Sequence, residues 1–98
     1  MIMNYGELLV EEVFTIKGRG IVAYGRVKEG TFRTGDDITI FKQGNSKVKS
    51  TVKNLIIFGT FQYAAKGDII GLLLSEVSIE DVSAGDLIKR IEISVEYE

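Results

Sequence analysis

Apolar positions in this chain recur mostly every second residue, in short runs separated by glycine-bearing turns. A helix would need them every three or four residues, so the pattern predicts strands folded back on one another. The densest example spans residues 13–40, where four apolar runs are divided by Gly18-Arg19-Gly20, Lys28-Glu29-Gly30 and Thr34-Gly35-Asp36. Ahead of it, residues 7–16 form a first strand interrupted by Glu11-Glu12, and two acids in mid-run predict a bulge or bend. Residues 21–27 read as a second strand whose internal Gly25 marks a kink or a close backbone approach. Thr31-Phe32-Arg33 reads as a very short strand of its own.

Farther along, Gln43-Gly44-Asn45-Ser46 is a hairpin tip of four consecutive turn formers. A long strand follows from Val48 to Phe58, then a loop carrying Phe61 and Tyr63. Residues 69–74 are almost continuously apolar, as expected of a strand covered on both faces. Residues 76–82 suit a short helical turn, and a final strand runs from Leu87 to Tyr97. The fold class is all-β: a small closed antiparallel β-barrel of about seven or eight strands.

Gly35-Asp36, Gly67-Asp68 and Gly85-Asp86 each come directly before an apolar strand. Glycine supplies the turn dihedrals, and aspartate can accept hydrogen bonds from turn amides, so these pairs read as structural.

Composition narrows the chemistry. The 98 residues suit one domain, 1–98, with 45% apolar and 27% charged residues. Signal-peptide and bilayer-spanning patterns are not seen, and a cytoplasmic location is the expectation. Histidine and cysteine do not occur. That removes the commonest general base, the usual zinc ligands and the Ser-His-Asp and Cys-His arrangements. Adjacent carboxylates such as Glu11-Glu12, Asp36-Asp37 and Glu80-Asp81 point to opposite faces of a strand, so acid–base pairs are not built from them. No enzyme activity, metal site or cofactor is expected.

The formal charge of −2 is unevenly spread. Residues 17–53 hold nine Lys or Arg against three acids, a balance of +6, and the remainder carries three against eleven, or −8. Such asymmetry fits a basic face for an anionic partner, or solvated strand faces that happen to be basic.

Taken in order, Glu11-Glu12-Val13-Phe14-Thr15-Ile16, Gly18-Arg19-Gly20, Gly25-Arg26-Val27, Gly30, Gly35-Asp36, Ala65-Lys66-Gly67-Asp68, Gly71-Leu72-Leu73-Leu74, Ile79-Glu80-Asp81-Val82 and Gly85-Asp86-Leu87-Ile88 resemble the second domain of translation elongation factor Tu. The resemblance covers roughly residues 8–90. It implies a β-barrel of the kind shared by translational GTPases, which in the elongation factor holds the aminoacylated 3′ end of tRNA. By that likeness Glu11, Glu12 and Phe14 correspond to the segment lining the amino-acid pocket, and Ile21 and Leu74 fall near positions that pack on the terminal adenosine. Phe14, Ile21 and Leu74 also suit core positions.

The likeness departs at Ile56-Ile57-Phe58-Gly59-Thr60, where the family carries a carboxylate and two basic residues. The family's proline after the last strand is replaced by Lys89-Arg90, and the 98 residues hold no GTP-binding domain. GTP hydrolysis and tRNA delivery are therefore not implied, nor is a nucleotide cofactor.

Two features suggest partners. Lys17, Arg19, Arg26, Lys28 and Arg33 are expected to cluster at one end of the hairpins, as an RNA- or ribosome-binding patch. The tail holding Ile91, Ile93, Val95 and Tyr97 alternates with glutamates and adds an extra strand around residues 91–97. It either closes the barrel or pairs with another chain. A binding module is the reading: protein–protein contact or self-association first, with contact to tRNA, rRNA or the ribosome as the alternative.

Overall fold

The computed structural model describes residues 2–56 and 64–94. Seven strands occur there: β1 (Ile2–Ile16), β2 (Gly20–Phe32), β3 (Asp37–Phe41), β4 (Lys47–Ile56), β5 (Ala64–Ala65), β6 (Ile69–Leu74) and β7 (Leu87–Ser94). Six of them close an antiparallel barrel in the order β1-β7-β3-β4-β6-β2, with β2 returning to β1. Closure leaves few open sheet edges, the recurrent hazard of small β proteins. The wall thus has six staves where seven or eight strands were expected. β5 is a two-residue appendage on Thr31 and Phe32, outside the wall.

The second difference lies in β2. Lys28-Glu29-Gly30 is not a turn, and Thr31-Phe32 is the end of β2. Glu7 pairs with Glu29 and Leu8 with Val27, so Lys28 is an extra residue bulged out of the ladder. Gly30 sits in the strand at φ +66°, where a Cβ would run into the Tyr5 carbonyl oxygen. Glycine there permits a close crossing of β1 and β2, and a bulge re-aims the strand without ending it.

Other features match the pattern reading. Val10 pairs with Gly25 and Glu12 with Tyr24, which makes Glu11 the extra residue of the expected bulge. At Gly25 a Cβ would strike the Leu9 carbonyl oxygen, the close approach that an internal glycine suggested. Residues 70–74 are buried throughout. The helical turn is a single 3₁₀ turn, Ile79–Asp81, whose Asp81 carboxylate accepts from the Ser78 amide at 2.8 Å.

The core fills the barrel with Leu8, Val10, Val27, Phe32, Ile40, Val52, Ile70, Leu72 and Ile88 among its members. Inward and outward residues alternate: Ile38 and Ile40 of β3 are buried between the outward Asp37, Thr39 and Phe41. Two Gly-Asp turns brace the ends. In residues 33–36 and 83–86 the Asp amide donates to the first residue's carbonyl (3.2 and 3.1 Å), and glycine takes the positive φ of a type II turn. Each aspartate carboxylate accepts in return from the first residue's amide, at 2.7 Å for Asp36 and 2.8 Å for Asp86.

Candidate functional site

The five basic candidates do not share one end of the barrel. Lys17 and Arg19 lie together and exposed in the β1–β2 turn. Arg26 is seven residues on along β2, roughly 23 Å at the usual strand rise, and Arg33 is seven farther. The expected cluster is therefore spread along the longest hairpin, because β2 continues through a bulge at Lys28 instead of turning back there. Arg26 Nη1 donates to the Gly67 carbonyl at 3.0 Å, bracing the turn before β6.

The five family-pocket counterparts divide into two groups. Glu11 and Glu12 are exposed around the bulge, and Phe14 is 38% exposed on the barrel's outside, not in the core. Ile21 and Leu74 are core residues, cross-strand partners inside the barrel. Strand alternation separates them: Phe14 pairs with Val22 and shares its face, whereas Ile21, next to Val22 along β2, points the other way into the core. Ile56 ends β4, half-buried opposite Gly71. Ile57, Phe58, Gly59 and Thr60, along with Phe61 and Tyr63, lie outside the described residues.

For the tail, Ile91 and Ile93 belong to β7, while Val95 and Tyr97 lie outside the described residues. β7 pairs with β1 from Ile2↔Ser94 to Leu9↔Leu87, but with β3 only through Leu87, Ile88 and Lys89. β1 in turn meets β2 only from Gly6 onward. Residues 2–5 and 91–94 therefore form a two-stranded ribbon beyond the wall, whose outer edges have no strand partner among the described residues. Ile91 is 55% exposed on it.

At the base of that ribbon is Arg90, a buried cation. Its Nη2 donates to the Thr31 carbonyl (2.7 Å), the Thr31 hydroxyl (2.9 Å) and the Tyr5 carbonyl (3.1 Å), and its Nε pairs with the Asp36 carboxylate at 3.1 Å. Nearby, the Tyr5 hydroxyl donates to Glu7 at 2.9 Å, and that bond to a carboxylate holds the phenol's pKa above its ordinary value. Asp86, also buried, ion-pairs with Lys42 and fastens the β3–β4 hairpin to the turn before β7.

Basic residues that the pattern reading did not single out are on the outer face of β3 and β4. Phe41 lies between two ammonium groups, Lys47 Nζ at 5.2 Å and Lys89 Nζ at 5.1 Å from the ring centre. Beside it is a depression of about 480 Å³ lined by Asp37, Thr39, Lys49, Thr51, Glu76 and Lys89 among others. The readable signal was Lys47-Val48-Lys49, which puts two lysines on one strand face. Among the described residues no group of three or more carboxylate, histidine or cysteine side chains is placed to hold a metal, and no helix is long and apolar enough to cross a membrane.

The six-stave barrel carries Gly-Asp turns before β3, β6 and β7, and the sequence match makes it a translation-factor type of domain. Residues 20–88 match the family Elongation factor Tu domain 2, more than two thirds of the chain, and the chain belongs to that family. The matched span includes Ile21 and Leu74; Glu11, Glu12 and Phe14 precede it.

Proposed function

We propose that this barrel is a non-catalytic binding module of the cytoplasm that works through protein contacts, its ribbon edge taking up a strand from a second copy or from a partner protein. One observation carries the reading: past Lys89 strand β7 leaves β3 but stays paired with β1, so among the described residues four on each outer edge of the ribbon are open to strand addition. Exposed edges of this kind are templates for pairing with another chain, and an isolated two-stranded ribbon gains stability from a third strand. No bound nucleotide or metal is needed for that role.

The test compares the molar mass in solution, by light scattering, of the full chain and a chain lacking residues 91–98. Loss of an oligomer with the cooperative thermal transition retained supports the reading; an unaltered mass at every concentration, with no strand-adding partner bound, sinks it. Contact with tRNA, rRNA or the ribosome through Lys17, Arg19, Arg26, Lys28 and Arg33 is the second reading. Its support is the exposure of all five, and their spread along β2 counts against one patch. If it holds, Arg19→Ala with Arg26→Ala weakens RNA binding and flattens its salt dependence.

A further inference from the structure

We propose that the outer face of β3 and β4 binds a single-stranded polynucleotide, with Lys47 and Lys49 on successive phosphates, Lys53 on one roughly two steps farther along, and Phe41 stacked against a base. This inference is independent of the ribbon.

Among the described residues, four cations are neutralised within the chain. Lys42, Lys66, Lys89 and Arg90 each have a carboxylate partner, respectively Asp86, Glu29, Glu7 and Asp36. Lys47, Lys49 and Lys53 have none within ion-pair distance among the described residues, and all three are exposed. They are also aligned. Lys47 and Lys49 share the outward side of β4 with Thr51, while the inward Val52 is in the core. A two-residue step along a strand is roughly 6.7 Å, comparable to the step between phosphates of an extended single strand.

Lys53 continues the line through a local irregularity. Val52 pairs with Leu74 and Asn54 with Leu73, which leaves Lys53 bulged out of the ladder. Its Nζ donates to the Arg19 carbonyl at 3.1 Å. That contact joins the β4 lysines to the exposed Lys17 and Arg19 of the neighbouring turn. The result is a continuous basic track on a protein whose net charge is −2.

Phe41 gives the track a base-binding element. It faces outward from β3 beside β4 and is flanked by Lys47 and Lys89. An aromatic ring on an open sheet face, bordered by lysines and hydroxyls, is the usual platform for unpaired bases. The hydroxyls of Thr39, Thr51 and Ser75 line the adjoining depression. Asp37 is paired opposite Thr51 and accepts from its hydroxyl at 3.1 Å, so this acid beside the β4 line is already engaged by a neighbouring donor. A duplex has no free base face to offer Phe41, so single strands are preferred. An acidic peptide would satisfy the lysines but leave the ring unused.

The test is an anisotropy titration of the full chain with a labelled 12-nucleotide oligouridylate at several salt concentrations. The wild type is expected to bind in about the micromolar range at 50 mM salt, with affinity falling as salt rises. K47Q/K49Q/K53Q is expected to bind at least about tenfold more weakly and to lose about 2 units of the log–log salt slope, at ~0.7 per phosphate for single strands. K66Q, which removes an exposed lysine paired with Glu29, is expected to stay within about threefold of wild type. Phe41→Ala is expected to lose about tenfold with the slope unchanged, and Phe41→Tyr to restore it.

The proposal is overturned by no binding at 50 mM salt, by a loss in K66Q as large as in K47Q/K49Q/K53Q, or by a 12-residue oligoglutamate binding as tightly as the oligouridylate. An unchanged affinity in Phe41→Ala removes Phe41 from the site. Circular dichroism of each variant separates lost binding from lost fold.

Discussion

Arg90 and Thr31, 59 residues apart in sequence, are joined by a 2.7 Å hydrogen bond from the guanidinium to the carbonyl oxygen, inside a network that also takes in Tyr5 and Asp36. Four segments of the barrel meet at this one buried cation. Replacing Arg90 with Met leaves two carbonyls and a carboxylate without their donor, and should cost about 3 kcal/mol of unfolding free energy in urea titrations. Lys at this position should recover only part of that, since a single ammonium cannot span the same fork of acceptors.

Gly30→Ala tests the crossing of β1 and β2. The added Cβ meets backbone, not a yielding side chain, at a positive φ. A loss of about 3–5 kcal/mol or a failure to fold is expected. A Gly30→Ala protein as stable as the wild type would mean that the strand crossing is not as close as described.

Lysines here should be unequal in their effect on stability. Lys42 is largely buried against Asp86, whereas Lys47 and Lys49 are solvated. Lys42→Met should cost about 3 kcal/mol, because it leaves a buried carboxylate unpaired. The same change at Lys49 should stay within about 0.5 kcal/mol. Parallel urea melts decide this.

The Tyr5 phenol should titrate above its ordinary value of 10.0, chiefly because Glu7 accepts its proton in a hydrogen bond. The folded chain then holds that proton more tightly than the unfolded one. The stabilisation is complete below pH 10 and is lost as the pH rises through the raised folded-state value. Carbon-13 NMR at the tyrosine Cζ positions measures the shift, and Glu7→Gln should bring Tyr5 back towards 10. A Tyr5 titration indifferent to Glu7→Gln would exclude this cause.

Substitutions at the family-pocket counterparts should separate into two kinds. Leu74→Ala removes a core side chain and should cost about 2–5 kcal/mol. Phe14→Ser, at a position 38% exposed, should cost about 1 kcal/mol or less. Binding defects in the Leu74 variant would therefore report on folding, while those at Phe14 would report on a surface.

Much of the barrel was legible in the sequence because its signals are local. Period-2 runs, the turn formers at residues 43–46 and the bulge at Glu11 depend on neighbours within a few residues. β2 was misjudged at Lys28-Glu29-Gly30 because the positive φ of a glycine serves a bulge as readily as a turn, and only the Tyr5 carbonyl above it decides which. The basic cluster failed for the same reason, since a strand that does not turn carries its charges apart. The ion pairs were not legible, for Lys42 meets Asp86, and Arg90 meets Asp36, across more than forty residues of intervening chain. Without them the lysines of β4 could not be told from the paired ones, Lys42, Lys66 and Lys89.

The pairing of β1 with both β2 and β7 also sets the order of assembly. Residues 6–16 of β1 find neighbours in the next strand, but residues 2–9 wait for partners more than 75 positions later. Contacts this distant make folding slow, in the range of roughly milliseconds to seconds for comparable β topologies. During synthesis the first hairpin therefore emerges with one flank bare, and the barrel shuts only when β7 leaves the ribosome.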